Sequence, residues 1–444
     1  MTDSYDLIVL GAGPVGENVA QYFVRGAGLT AALVEAELIG GECSYYACMP
    51  SKALLRPVNV AALTHDLRGV VPTSIDNAGV LARRDYWVSH YDDSGQASWA
   101  ASAGIDVVRG VGRVSGERQV QVGDRTLTAR HAVVVATGSR PAIPAELAGV
   151  RPWTNRDATG VVEVPARLAI VGGGVVACEA ATWMAALGSR VTMLVRHRLL
   201  DRLEPFAAEL VGEALVRAGV EVRLGVSVDA ADRPGAGDRQ LGRPHGGPVR
   251  LSVAGEVLEF DEVLVAAGRV PDTSAVPSGD RPGWLHLVGD ASGEPALTHW
   301  GKYRARQLGT RLRAEALGRP VPDQPDGVPV PQVIFTDPEV ATVGATLAQA
   351  LADDPAARAL EVSIDSASGA ALLVDHPRGS ARLVVGGGDR VLGATFVGTD
   401  VAELLHAATV AIVGGLTLQQ LWHAVPSYPT ASEVWLRLLE QSLE

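Results

Sequence analysis

Short apolar runs recur along this chain, each bounded by glycines or charged residues. Leu7-Ile8-Val9-Leu10 runs into Gly11 and then into a stretch with helical spacing that reaches Arg25. Thr30-Ala31-Ala32-Leu33-Val34 ends at Glu35. The same order returns later: Arg167 to Val171, a glycine cluster, a helical stretch through Glu179 to Leu187, then Val191 to Val195. Runs this short and this apolar predict strands covered on both faces, as in a parallel sheet flanked by helices. Ala132 to Ala136 and Val263 to Ala267 read as strands closing the two units, and Leu285 to Val288 offers one more. Residues 231–248, rich in Gly, Pro, Asp and Arg, read as a long surface loop. Residues 318–331 read as a linker. Beyond it, Arg382 to Val385 and Val391 to Val397 alternate as strands beside two apolar helical stretches, a separate α+β domain.

The glycine clusters carry the first chemistry. Gly11, Gly13 and Gly16 form G-x-G-x-x-G, and Glu35 follows Gly16 by nineteen residues. The glycines permit a tight turn and close approach of a pyrophosphate, the helix N-terminus attracts phosphate, and the acid accepts from a ribose hydroxyl. Gly172, Gly174 and Ala177 repeat the pattern as G-x-G-x-x-A. Here the acid is missing. Val195 ends the strand, and Arg196, His197, Arg198 and Arg202 follow. Arginine pairs with a 2′-phosphate where a carboxylate would repel it. The second turn therefore reads as a site for NADPH and not NADH. A solvated basic turn is the plainer alternative.

Cys43 and Cys48 stand in Gly40-Gly41-Glu42-Cys43-Ser44-Tyr45-Tyr46-Ala47-Cys48-Met49-Pro50-Ser51-Lys52. A structural zinc site needs about four ligands, and no second arm follows. A redox pair needs only two sulfurs that can approach. Five residues apart on an ideal helix they would diverge by roughly 140°, so a bridge requires a distorted turn. Gly40, Gly41 and Pro50 supply the means, and a helix starting near Pro50 would favour a thiolate. Two unrelated buried thiols are the alternative, and Cys178 reads as one such structural thiol.

With three cysteines in 444 residues, disulfides do not hold the chain together. The formal charge of −12 argues against nucleic acid and anionic membranes as partners. No run reaches the eighteen or more apolar residues of a membrane span, and the acidic start does not read as a signal peptide. A reducing, cytoplasmic setting is expected.

Taken in order, these motifs resemble the pyridine nucleotide–disulfide oxidoreductases, which include glutathione reductase, dihydrolipoamide dehydrogenase and mercuric reductase. The resemblance spans nearly the whole chain. It rests on the fingerprint at 11–16, the cysteine box at 40–52, Ala-Thr-Gly-Ser-Arg-Pro at 136–141 and the fingerprint at 172–177. It continues through Ala-Gly-Arg-Val-Pro-Asp at 267–272, Gly-Asp-Ala at 289–291 and Phe-Thr-Asp-Pro-Glu-Val-Ala-x-Val-Gly at 335–344.

The resemblance implies an α/β fold of two Rossmann-like dinucleotide-binding domains with a C-terminal α+β dimerisation domain. It divides the chain into an FAD-binding domain at 1–150 and 271–328, an NAD(P)H-binding domain at 151–270 and an interface domain at 329–444. It implies FAD at the first turn, Asp290 at its ribityl–phosphate region, and Gly41, Thr137, Gly138, Gly268, Arg269 and Gly289 among the cofactor contacts. Cys48 would face the flavin and Cys43 the substrate, with Lys52 and Glu179 paired beside the flavin ring. Arg196, His197 and Arg202 match the basic cluster for the 2′-phosphate. The implied activity is that of a homodimeric flavoenzyme passing electrons from NADPH to the Cys43–Cys48 disulfide and on to a small acceptor: a disulfide, a quinone or a metal ion. No resident metal is implied. Dihydrolipoamide dehydrogenase, a mercuric or metal-ion reductase, and a redox-regulatory flavoprotein without turnover are the rival readings.

The chain departs from the family in its last segment. Thiol- and disulfide-linked relatives carry His-Pro-x-x-x-Glu, where the histidine serves as acid and base. Here the run is Tyr428-Pro429-Thr430-Ala431-Ser432-Glu433. A phenol with a pKa of about 10 is a poor base at neutral pH. Mercuric reductases place tyrosine there and add a C-terminal cysteine pair, yet no cysteine follows Cys178 in this chain. His423 reads as an ordinary helix-end histidine. Tyr45 and Tyr46 make the cysteine box aromatic.

Overall fold

A computed structural model describes residues 3–277, 279–325 and 327–443. The chain forms two compact units, Met1–Ser51 with Ala82–Ala142 and Gly268–Asp326, and Lys52–Leu81 with Ile143–Ala267 and Gly327–Glu444.

The first unit is built on a seven-stranded sheet. Its central strand, Ser4–Leu10, lies between Ala31–Glu35 and Arg125–Val135, both parallel to it, with Leu10 level with Val34 and Val135. Ile105–Arg109 extends one side, and Leu285–Leu287 pairs in parallel with Val133–Val135. Along these strands alternate residues enter two different cores. Leu7, Val9, Leu33 and Val134 pack with Phe23, Ala305 and Leu312, whereas Ile8, Leu10, Val34 and Val133 pack with Val120 and Leu127. Side chains alternate across a strand, so a sheet covered on both faces needs the uninterrupted apolar runs seen in the sequence.

The second unit repeats the arrangement in smaller form. Arg167–Val171 lies between Arg190–Val195 and Glu262–Val265, all parallel, and Glu221–Leu224 extends the sheet. An antiparallel ribbon of Val228–Asp232, Val249–Val253 and Glu256–Phe260 follows. The C-terminal part is a five-stranded antiparallel sheet in the order Gln332–Ile334, Glu339–Gly344, Val391–Gly398, Ser380–Val385, Arg358–Ser363. Phe396, Leu383, Val434 and Leu438 fill its core. The expected linker at 318–331 carries no regular element among its described residues, and Asp326 lies outside them.

The surface loop expected at 231–248 holds for most of its length: residues 233–248 carry no helix or strand and are mostly exposed. Residues 228–232 are a strand, and the segment after it carries a buried charge cluster. Arg233 pairs with Glu262 with both side chains fully buried. The His245 ring is fully buried, its Nδ1 lies 2.8 Å from the Arg151 carbonyl oxygen, and its Nε2 lies 3.6 Å from Asp157 Oδ1. Arg239 reaches Asp157 at 2.8 Å. Composition does not show this cluster, because its counter-charges, Asp157 and Glu262, lie outside the loop.

Candidate active site

The two glycine turns share one geometry. Gly11 has φ +95°, and a side-chain carbon there would lie 2.4 Å from the Ala136 carbonyl oxygen; Gly172 has φ +132° and would meet the Ala266 oxygen at 2.3 Å. In each unit the turn at the end of the first strand lies against the end of the strand closing that sheet, and only glycine allows it. Gly13 and Gly174 then cap the helices Pro14–Val24 and Val175–Ala186 in extended backbone. Glu35 ends its strand as expected, and its carboxylate accepts from the backbone N–H of Ala12 and Glu37, each at 2.7 Å. At the second turn Val195 is buried, while Arg196, His197 and Arg202 are exposed. Among the described residues those three form no ion pair.

The segments following the two closing strands meet each other. Ser139–Pro141 pairs antiparallel with Arg269–Pro271, the Gly138 carbonyl accepts from Asp272 N–H at 3.0 Å, and the Gly268 carbonyl accepts from Ala142 N–H at 2.9 Å. Arg269 Nε donates to Ser139 Oγ at 2.7 Å, and Ser139 Oγ donates to Asp290 Oδ2 at 2.6 Å. Arg269 also lies 3.8 Å from Glu42 of the cysteine box. Four separated motifs thus join in one polar network.

Cys43 sits in the short helix Gly41–Tyr45, and Cys48 opens the helix Cys48–His65. The backbone breaks helical geometry between them, at Tyr46 with φ −132° and ψ 0°. That break is the distorted turn the spacing demanded. The two are thiols here and share a hydrogen bond, and Cys48 Sγ lies 3.2 Å from Thr298 Oγ1. The Cys43 thiol is pushed far above its ordinary range, first by the bond to Cys48 and then by burial, with Thr298 and Lys302 acting against it.

In the second unit Lys52 Nζ meets both carboxylate oxygens of Glu179, at 2.7 and 2.8 Å, and lies 4.7 Å from the centre of the Phe335 ring. Glu179 is buried and also accepts from Phe335 N–H at 3.0 Å. The pair expected from positions 52 and 179 is formed.

A family model for the pyridine nucleotide-disulphide oxidoreductases matches residues 5–282, and the model for their dimerisation domain matches 330–438. The chain belongs to this family. It is 31% identical to dihydrolipoyl dehydrogenase 2 of Haloarcula marismortui, over 98% of this chain and 95% of that one. It is 29% identical to mercuric reductase of Staphylococcus aureus, over 97% and 81%. It is also 29% identical to glutathione reductase of Burkholderia cepacia, over 98% of both. The fold matches the HOCl-induced flavoprotein disulfide reductase RclA from Escherichia coli with a TM-score of 0.82 at 22% identity, over 98% of this chain and 99% of that one. LpdA from Mycobacterium tuberculosis matches with a TM-score of 0.80 at 21% identity, over 98% and 99%. The protein is accordingly an NAD(P)H-dependent flavoprotein disulfide oxidoreductase with a dimerisation domain.

In this family member the C-terminal residues are placed unequally. Tyr428 is exposed at 78%. Glu433 is buried, and its carboxylate accepts from Gly369 N–H at 3.0 Å. Among the described residues no hydrogen bond joins the two side chains. His423 is exposed.

Sequence reasoning missed three participants. Thr298 touches Cys48 from a helix 250 residues away. Glu17, in the first turn of Pro14–Val24, has its carboxyl pushed up to about 7 by burial, with Lys302 opposing. Tyr91 stacks on Tyr46 at 5.6 Å and on Tyr45 at 6.4 Å, completing an aromatic cluster beside the cysteine box. Only Thr298, seven residues past the Gly-Asp-Ala motif, stood near a recognisable signal. Among the described residues no helix is long and apolar enough to cross a membrane.

Proposed function

We propose that this enzyme takes electrons from NADPH in preference to NADH and delivers them through the Cys43–Cys48 pair to a small acceptor that is not a peptide disulfide. The observation that carries the reading is the cysteine pair itself: two free thiols close enough to shift each other's titration, flanking a break in the helical backbone, in the unit that bears the first glycine turn.

The residues present fit FAD. Gly11, Gly13 and Gly16 leave a bare turn at a helix N-terminus, Glu35 stands at the neighbouring strand end to receive a ribose, and Asp290 is fixed by Ser139. Gly41, Thr137, Gly138, Gly268, Arg269 and Gly289 complete the cofactor surface in this reading. When bound, the flavin and nicotinamide supply two-electron transfer. The chain's own residues do the rest. Two electrons and two protons open the disulfide to the dithiol. Cys48, at the start of its helix, is the sulfur placed to hold negative charge. Cys43 is the sulfur that meets the acceptor. Lys52 and Glu179 supply a charge pair in the second unit.

The nucleotide preference is supported by Arg196, His197 and Arg202, which are exposed and, among the described residues, in no ion pair, at the strand end where an acid would favour a ribose hydroxyl. Replacing Arg196 and Arg202 by Ala is expected to raise the KM for NADPH about ten- to hundred-fold and leave NADH use nearly unchanged. Equal efficiency with both nucleotides in the unmodified enzyme overturns the preference. The domain division given above and a homodimer pairing residues 329–444 complete the proposal. The protein purified with its cofactor is expected to be yellow; a colourless protein that takes up no added FAD contradicts it.

A further inference from the structure

Strand Leu285–Leu287 is paired on one side only, with Val133–Val135, and helix Thr298–Ala316 belongs to the same unit. Residues of the two line a cavity of about 260 Å³. Its polar lining carries three guanidinium groups, Arg281, Arg304 and Arg311, with the ring of His286, against one carboxylate, Glu294. Leu287 and Leu308 supply an apolar side. None of these residues serves the dithiol or either glycine turn.

The three cations are not equally compensated. Arg304 Nε lies 3.1 Å from both oxygens of Glu294, and its guanidinium stands 5.9 Å from the Trp300 ring centre. The lining carboxylate is therefore already engaged. Arg311 donates from Nη2 to His286 Nδ1 at 3.4 Å, while among the described residues its Nε is buried with no hydrogen-bond partner and has only Glu315, at 3.7 Å, as a counter-charge. Arg281 is exposed and in no ion pair among the described residues. A buried donor left without an acceptor is costly, and guanidinium groups gathered at one cavity repel each other. A ligand with several anionic oxygens relieves both costs, since guanidinium matches phosphate with forked donors.

We propose that this cavity binds a small phosphomonoester dianion, its phosphate on Arg311 and Arg281 and its apolar body against Leu287 and Leu308. The volume lies just below the usual range for small-molecule sites, about 300–1,000 Å³, which suits a phosphate carrying a single ring and excludes a dinucleotide. The titratable and charged groups lining the cavity are Arg281 from the loop before the strand, His286 from the strand, Arg304 and Arg311 from the helix, and Glu294 from the turn between them, with Glu315 behind Arg311 outside the lining. His286 is held neutral by burial and then by Arg311, and its pKa lies below the ordinary value. A bound dianion favours its protonated form, so affinity rises as pH falls. The strand leads directly into Gly289 and Asp290, which connects occupancy of the cavity to the cofactor surface.

Calorimetric titration of the FAD-loaded protein with phenyl phosphate, at roughly pH 6.5 and pH 8.5, tests the proposal. One site per chain is expected, tighter at the lower pH. Arg311→Gln is expected to weaken binding at least about tenfold. Arg281→Gln should weaken it as well, and because Arg281 is exposed that variant keeps the test decisive if Arg311→Gln does not fold. Arg196→Ala, at the second nucleotide turn, should leave the affinity unchanged. Competition by inorganic phosphate at the same site supports the assignment. Binding that vanishes in Arg196→Ala yet survives both glutamine variants overturns it, as does the absence of heat up to ~10 mM phenyl phosphate.

Discussion

At the scale of single residues, the proposed chemistry turns on Tyr428 and the two cysteines. Cys48 occupies the first position of its helix, where backbone N–H groups and the helix dipole favour a thiolate. Two-electron reduction of the FAD-loaded enzyme is expected to produce a long-wavelength absorbance from thiolate to flavin, and Cys48→Ser is expected to abolish it while Cys43→Ser retains it. The opposite outcome would exchange the roles of the two sulfurs. Tyr428 replaces a base with a phenol, and general acid–base assistance is typically worth about 10²–10⁴-fold. Glutathione disulfide and lipoamide are therefore expected to be poor substrates, and Tyr428→His should improve their turnover. Steady-state rates with both disulfides check this; turnover of either by the unmodified enzyme at rates normal for this family would falsify it. One Glu433 oxygen accepts from Gly369 N–H, which leaves the other to orient the new imidazole. The histidine-for-tyrosine difference was readable in the sequence. The Glu433–Gly369 bond was not, since its two ends lie 64 residues apart.

Among the elements, the loop after Val228–Asp232 shows what local composition leaves out. It folds back through charges that only the tertiary structure pairs. Burial by itself would raise the Asp157 pKa, but His245, Thr154 and Arg239 together hold it at about 2. Burial would lower that of His245, yet Asp157, the Arg151 carbonyl and Glu262 raise it overall. A raised folded-state pKa means that His245 contributes its stability fully below its unfolded value of about 6.5 and loses it as pH climbs past the folded value. Asp157 acts in the opposite direction, contributing above about 4 and losing its contribution only as pH falls towards its folded value. His245→Gln is expected to lower the melting temperature at roughly pH 6 and to matter progressively less towards about pH 9. Melting curves of the two proteins that stay a constant distance apart across this range contradict the assignment.

For the whole molecule, the dimerisation domain at 330–438 implies a two-chain enzyme. Sedimentation of the cofactor-loaded protein is expected to show a dimer at micromolar concentration. Tyr428, exposed in the single chain, should lose accessibility to tetranitromethane on dimer formation. A stable monomer with full acceptor turnover would show that the partner subunit contributes nothing to the site.

The sequence by itself determined the parallel sheets, both glycine turns, the redox pair and the basic strand end. Each is a local matter: alternate residues of an apolar run must enter two cores, a bare turn needs glycine at fixed offsets, and the two sulfurs lie in one box. Tertiary structure decided what depended on distance along the chain. It brought the segments at 139–141 and 269–271 together, set Thr298 against Cys48, brought His245 beside Asp157 and gave Glu433 the Gly369 N–H as a partner. Periodicity reports which face of an element is buried. It does not report which distant side chain arrives to satisfy a buried polar group, because that partner is chosen by packing of the whole unit.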